Sequence, residues 1–596
     1  VTSRTMFKRV HRAALAAAAA GTLLVGCGGS GDSLSAGSVV ADSSGASPGA
    51  DLAAFGGSSA SAYGSYLAAL HATRRNALED AAGFMADALD RDADSAKLRQ
   101  RAFLLHASVG EMDAAARLAE RLREDGGGQG VAALMDVVRS VRGGDMATAQ
   151  ERVDALPSHG LSALVKPLIS GWLAVKRGEL EAGLAKLDEL DGIQGLGVLR
   201  HVHAALMKDV AGNTEAARAA YENAGQAASS LTVRLAWLVG NFYARQGEPE
   251  RARQVYEKVL QRNADSAIVQ LLLERLDARD KAPSAEVATV RHGIAEALFN
   301  VAGLLSQERA TELALVYTQF ALHLRPDYEA GRVLLGEILQ SQGRSRAAIE
   351  TYRAVAPDSP VDFVAKLRVA EELGALGKFD EAEALLREVA EAKPDAYEPL
   401  YRLGNALRQQ EAFAQAAEVY ARAVERVGEP QRRHWTLYYF HGIALERTDR
   451  WAEAEERFST ALDLYPEQPY VMNYLAYSWV EQKTNLDRAL EMLDTAVSKR
   501  PEDGYIVDSL GWAHYRLGNF EKAVKHLERA VELRPGDPTI NDHLGDAYWH
   551  VGREREARYQ WQRALDLGPR DTEAEEIRGK LENGLNAAQA TANTNG

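Results

Sequence analysis

The chain has 596 residues, more than one compact domain of about 100–200 residues holds. Hydrophobic residues make up 46% and charged residues 26%, the balance of a folded chain, and the formal net charge of -15 repels phosphate backbones, which argues against nucleic acid as a partner. The single cysteine, Cys27, excludes an intrachain disulfide and a zinc site built from cysteines.

Arg4, Lys8, Arg9 and Arg12 precede an apolar run from Ala13 to Val25. This is the layout of a secretory signal, and the run falls short of the roughly 20 residues that span a bilayer. It ends Leu23-Leu24-Val25-Gly26-Cys27, which resembles the lipobox of bacterial lipoproteins. The resemblance implies that residues 1–27 are a signal peptide and that Cys27 carries the lipid. Gly28 stands where that family's inner-membrane retention aspartate would be, so the implied location is the outer membrane, facing the periplasm. Residues 28–61 are rich in Gly, Ser and Ala without a helical period, which predicts a flexible linker spanning roughly 30 Å.

From Ala62 the pattern turns helical. Pro326, Pro360 and Pro394 are 34 residues apart, as are Pro501, Pro535 and Pro569. One repeat reads Leu510, Gly511, Gly518, Phe520, Ala523, Leu527, Ala530, Pro535, and the next Leu544, Gly545, Tyr548, Gly552, Ala557, Trp561, Ala564, Pro569. Small residues at the Gly511 and Ala523 positions allow two helices to approach, and large ones at the Leu510 and Leu527 positions fill the space between them. Gly518 ends the first helix with a positive φ, and the proline ends the second. Extra residues at Glu429 to His434 and at Thr484 to Leu486 fall in loops.

This period and these residues resemble tetratricopeptide repeats. The resemblance implies an all-α fold, a right-handed superhelical solenoid of antiparallel helix pairs. Residues 62–290 read as degenerate repeats, with echoes at Leu104 to Leu122, Leu168 to Leu187 and His203 to Ala224. Residues 291–582 read as a regular array, and 583–596 as a polar tail.

No motif for catalysis stands out. Gly195-Leu196-Gly197 lacks the later glycine of a dinucleotide site, and Asp125 to Gly130 lacks the lysine of a phosphate loop. His201 with His203, and His543 with His550, read as solvated or capped histidines rather than metal ligands. A chain of helix pairs leaves no segment for a catalytic domain, so the expectation is a non-enzyme without cofactor, metal or small-molecule substrate.

In the resembled family the first helix of each pair lines a groove for a peptide or a partner's helix. Carried onto this chain, the groove positions are Tyr470, Asn473 and Tyr477, then Asp508, Trp512, Tyr515 and Arg516, then Asp542, Asp546, Trp549 and His550. Aromatic and hydrogen-bonding side chains together suit a binding hot spot, although Trp512 and Trp549 fit a place between repeats equally well. Asp508 and Asp542 stand where the family's carboxylate clamp uses lysine or asparagine, so basic or neutral peptides are expected instead. The run from Asp508 to Gly518, followed by His543 to Asp546, is similar to large repeat lipoproteins of Gram-negative bacteria. Some of these bring a periplasmic carboxyl-terminal-processing protease together with cell-wall hydrolases. The expected function is a membrane-tethered scaffold for periplasmic partners, with a structural part of an envelope export or assembly machine as the alternative and a repeat-bearing glycosyltransferase as a remoter one.

Overall fold

The computed structural model describes residues 61–585, apart from 127–129, 192–195, 228–230 and 279–281. Cys27, the signal, residues 28–60 of the linker and the end of the tail lie outside the described residues. The described residues form α-helices joined by short connections, and no strand occurs among them. The chain divides into two compact units, Val1–Ala396 and Tyr397–Gly596.

Unit 1 runs through α1 (Ala62–Arg74), α2 (Leu78–Arg91), α3 (Ala96–Val109), α4 (Met112–Glu124), α5 (Val131–Gly143), α6 (Met146–Asp154), α7 (Ser162–Lys176), α8 (Leu180–Leu187), α9 (Gly197–Val210) and α10 (Thr214–Ala227). It continues with α11 (Val233–Arg245), α12 (Pro249–Leu260), α13 (Ala267–Asp277), α14 (Val290–Gln307), α15 (Thr311–Leu324), α16 (Glu329–Ser341), α17 (Ser345–Arg353), α18 (Asp362–Ala375) and α19 (Phe379–Ala392). Unit 2 holds α20 (Glu398–Gln409), α21 (Phe413–Arg426), α22 (Trp435–Glu446), α23 (Trp451–Leu464), α24 (Pro469–Glu481), α25 (Leu486–Lys499), α26 (Gly504–Arg516), α27 (Phe520–Leu533), α28 (Pro538–His550), α29 (Glu554–Asp566) and α30 (Asp571–Asn583).

The helices pack in consecutive pairs, and the contact within a pair is the one the 34-residue period implies. A glycine on the first helix lies against a large side chain sixteen positions on. A Cβ on Gly336 would come within 2.3 Å of the Tyr352 ring, on Gly404 within 2.4 Å of Tyr420, on Gly442 within 2.7 Å of Phe458 and on Gly545 within 2.5 Å of Trp561. At Gly511 the partner is Leu527, at 2.7 Å. Real Cβ atoms do not approach so closely, so these positions tolerate no side chain without moving a buried ring. Gly518, which ends α26, has φ 77° as its sequence implied. The equivalent turns at Glu411, Asp449 and Lys483 adopt φ 59°, 60° and 57° without glycine. The two insertions fall between helices, the first as a short 3-10 turn over Arg432–His434.

Unit 1 contains an arrangement its repeat pattern did not announce. The hairpin α14–α15 is a layer of its own: α3 and α5 pack on α15, while α7 and α9 pack on α14. Six consecutive residues of α14, Ile294 to Phe299, and five of α15, Ala314 to Thr318, are buried. A helix covered on every side has to be enclosed by its neighbours. Trp172 of α7 lies against Gly293 of α14, where a Cβ would sit 2.3 Å from the indole. The Trp172 indole N–H donates to His203 Nδ1 at 3.1 Å. His203, read from sequence as solvated or capped, is fully buried, and burial drives its pKa down to about 4, against a smaller upward pull from Glu296. Its position on α9, facing α14, is what removes it from water.

An ion pair inside the apolar layer holds the hairpin to the wall. Arg234 of α11 is 4% exposed and Glu296 of α14 is 1% exposed, and their side chains meet at 2.6 Å and 3.2 Å in a two-pronged contact. The Tyr328 hydroxyl donates to the same carboxylate at 2.6 Å. Burial pushes the Glu296 carboxyl upward, but Arg234 and the two hydrogen bonds outweigh it and leave it below the ordinary range. The ends of the wall also meet the later helices: Asn76 Nδ2 donates to the Gln342 carbonyl at 2.7 Å, and Arg344 pairs with Glu79.

Two outcomes test this account by thermal unfolding followed by circular dichroism. Gly404→Ala, which drives a methyl into Tyr420, destabilises unit 2 by about 1–3 kcal/mol, whereas Glu411→Gly relieves roughly 1 kcal/mol of left-handed strain and raises the melting point. Glu296→Gln leaves Arg234 buried against a neutral partner and costs unit 1 about 3–5 kcal/mol. Because the folded pKa of Glu296 is depressed, its contribution is present above the unfolded value and fades as pH falls through the folded one, so the variant and the wild type converge in acid.

Candidate functional site

In unit 2 the first helices α24, α26 and α28 lie side by side, each backed by its own second helix. That places the sequence-derived positions in one strip: Tyr470, Asn473 and Tyr477 on α24, Asp508, Trp512, Tyr515 and Arg516 on α26, and Asp542, Asp546 and Trp549 on α28. Asp508 and Asp546 are buried, whereas the aromatic members of the strip are half-buried.

The centre of the strip is a stack. The Trp512 ring lies 4.0 Å from His543 and 4.7 Å from Tyr515, tilted by only 15° and 14°. Its indole N–H donates to Glu481 Oε1 at 2.6 Å, and Arg516 reaches the other oxygen of that carboxylate at 3.2 Å. Below the stack, His543 Nδ1 meets the two oxygens of Asp508 at 3.0 Å and 3.1 Å. Burial draws the His543 pKa down, but Asp508 more than compensates and the net shift is upward. His543 too was read as solvated or capped, and α26 and α28 enclose it. An aspartate–histidine pair invites comparison with a catalytic dyad. Here the imidazole face is covered by Trp512, and the pair joins α26 to α28.

The other two aspartates have a cation of this chain against them. Lys580, on α30, places its Nζ 2.8 Å and 2.9 Å from the Asp542 oxygens and 2.9 Å from Asp546. Asp546 also accepts the Trp561 indole N–H at 2.9 Å. Burial raises the Asp542 carboxyl, repulsion from Asp546 adds to that, and Lys580 opposes both. Trp549 packs on Trp561 with ring centres 5.4 Å apart, under the bend at Gly584. The strip therefore carries less free negative charge than its residue types imply. The side chains it leaves partly accessible are the rings of Tyr477, Trp512 and Tyr515, while the Asn473 side-chain oxygen is buried without a hydrogen-bond partner. Tyr470 stands at the start of α24, with the Arg500 guanidinium 5.8 Å from its ring centre.

Lys580 was not among the residues singled out from sequence. It occupies the same repeat position in α30 as Trp512 in α26 and Asp546 in α28, so the period itself could have located it. Among the described residues, no group of three or more His, Cys, Asp and Glu side chains is arranged to hold a metal ion.

Antiparallel helix pairs in regular register, with a strip of aromatic and amide side chains along the first helices, define a repeat scaffold for protein–protein interaction. Residues 209–267, 367–429, 439–504, 481–538 and 509–572 match the tetratricopeptide repeat family, so these segments are tetratricopeptide repeats. It is similar to the TPR repeat-containing protein PA4667 of Pseudomonas aeruginosa, with 26% identity over 192 residues, which is 32% of this chain and 32% of that protein. The chain thus matches about a third of that relative's length. Among solved structures it is similar to the Cut9–Hcn1 hetero-tetramer of the APC/C, at 15% identity over 87% of this chain and 95% of that one with a TM-score of 0.37. A tetratricopeptide repeat protein of Parabacteroides merdae is similar at 14% identity, 43% and 97% coverage and a TM-score of 0.35.

Lys580→Met tests the electrostatics of the strip. It leaves two carboxylates facing each other in a buried site and costs unit 2 about 3–5 kcal/mol at neutral pH. The raised Asp542 carboxyl takes up a proton first as pH falls, so the loss shrinks toward acid; chemical unfolding of both proteins at several pH values measures it.

Proposed function

We propose that the protein is a lipid-anchored scaffold of the bacterial envelope whose partner-binding strip is the first-helix face of unit 2. The observation that carries the placement is the contrast between the units. In unit 1 the first helices α3, α5, α7 and α9 are covered by the chain's own α14–α15, whereas in unit 2 the equivalent face presents Tyr477, Trp512 and Tyr515. Half-buried aromatics held by stacking lose little freedom on binding, which is why they dominate interface energetics.

The envelope location rests on the resemblance of Leu23 to Cys27 to a lipobox, with residues 28–60 as the tether. No described helix is long and apolar enough to cross a membrane, so the anchor in this reading is the acylated Cys27. Tethering raises the local concentration of whatever unit 2 holds, and a scaffold that binds two partners accelerates their encounter without any bond-making group of its own. A periplasmic carboxyl-terminal-processing protease and a cell-wall hydrolase are the partner pair suggested by the run from Asp508 to Gly518.

Co-purification from envelope extract tests both parts. A periplasmic protein retained by the wild type and by Tyr559→Ala, whose ring is 68% exposed on the second-helix side, is lost with Tyr477→Ala and Trp512→Ala, while circular dichroism shows unit 2 still folded. Equal retention by all four proteins removes the strip from the proposal, and recovery of export or assembly components in place of a protease and hydrolase favours the machine reading. Cys27→Ser moves the protein from the membrane fraction to the soluble one; no shift refutes the anchor.

A further inference from the structure

The first described helix of unit 1 differs from those that follow it. Its small residues Ser65, Ala69 and Ala72 are buried, and α1 packs on α2. Its large ones, Tyr63, Tyr66, Leu67 and Leu70, fall at i, i+3, i+4 and i+7, a complete apolar seam. On α3, α5, α7 and α9 a face is covered by the hairpin α14–α15. On α1 the seam is open: Tyr63 is 69% exposed and Leu67 46% exposed, two of the four large hydrophobic side chains exposed among the described residues. Beside it lies a cavity of about 610 Å³ between α1 and α3, lined by Tyr63, Tyr66, Leu70, Leu98, Arg101 and Leu104.

We infer that this seam and cavity form a docking site for an amphipathic, acidic α-helix of a partner protein. Two observations select that occupant. The first is continuity with an interface already filled by a helix: Arg101, which lines the cavity, pairs at 2.6 Å with Glu312 in the first turn of α15, so the cavity opens beside the point where the chain's own helix begins. The groove takes a helix along α3 and stops short of α1. The second is charge. Lys97 and Arg101 line the cavity against the single acid Asp92, and α1 ends with His71 and Arg74. An incoming helix covers the apolar seam with its own apolar side and meets Lys97 and Arg74 with carboxylates, as Glu312 already meets Arg101. The site lies in unit 1 and is independent of the strip on unit 2.

The test uses the full chain and a fluorescently labelled peptide with the sequence of residues 308–324, which contains the helix that the adjoining groove holds. Saturable anisotropy is expected with the wild type, weakened at least about tenfold by Leu67→Glu and by Arg74→Glu, and weakened likewise when the peptide carries Glu312→Lys. Tyr63 and Leu67 are exposed, so the fold of the Leu67 variant is expected to be intact, and its circular dichroism melt checks this. Absence of saturable binding, or equal binding by Leu67→Glu, overturns the inference. A concentration-dependent dimer abolished by Leu67→Glu overturns it in favour of a second copy of this chain, and competition by a peptide of residues 48–60 overturns it in favour of the chain's own upstream segment.

Discussion

The closeness of the two helices in each pair is the constraint from which the rest follows. A helix axis can approach its neighbour to the distance set by the side chains between them. At Gly336, Gly404, Gly442 and Gly545 the first helix contributes no Cβ, and the space is taken by Tyr352, Tyr420, Phe458 and Trp561 from the second. Each ring is then enclosed by backbone as well as side chains, which locks the register of the pair. Because one pair cannot bury both its faces, the same contact repeated at a fixed interval yields a stack and not a set of separate hairpins.

A stack of this kind leaves the inner side of its first helices available, and the two units use that side differently. Unit 1 fills it with α14–α15, joined through an apolar layer and the Arg234–Glu296–Tyr328 contacts. A charge pair in such a place contributes little net stability over a well-packed apolar alternative, but it penalises any arrangement that separates the partners. The hairpin is therefore a fixed part of the core, and a ligand for the covered positions would have to displace buried Ile294, Leu298 and Phe299.

Unit 2 keeps its first-helix side for side chains that are packed yet partly accessible. The carboxylates there serve the scaffold: Asp508 ties α28 to α26 through His543, and Asp542 and Asp546 tie α30 to α28 through Lys580. The helix α30 thereby closes the last repeat with charge as well as with apolar contact at Ile577. The rings left partly accessible there are held in orientation by stacking.

The pairing of helices, and the close approach at Gly511-type positions against Leu527-type ones, were legible in the sequence, because a 34-residue period in Leu, Gly, Ala and Pro records a local geometry that each repeat must satisfy by itself. The strip on α24, α26 and α28 was legible for the same reason, since repeat position dictates helix face. The partners of its acids were not: Lys580 lies 38 residues from Asp542 and 34 from Asp546, and only packing decides which charge meets which. The same holds for His203 and His543, whose neighbours in sequence are unremarkable for a wet surface and whose burial comes from helices far along the chain. The placement of α14–α15 was written in part, as runs of consecutive apolar residues that no single-faced helix needs. Which surface they cover was decided by tertiary structure alone, because an apolar hairpin lowers its free energy against any complementary groove and the sequence does not say where the chain will bring one.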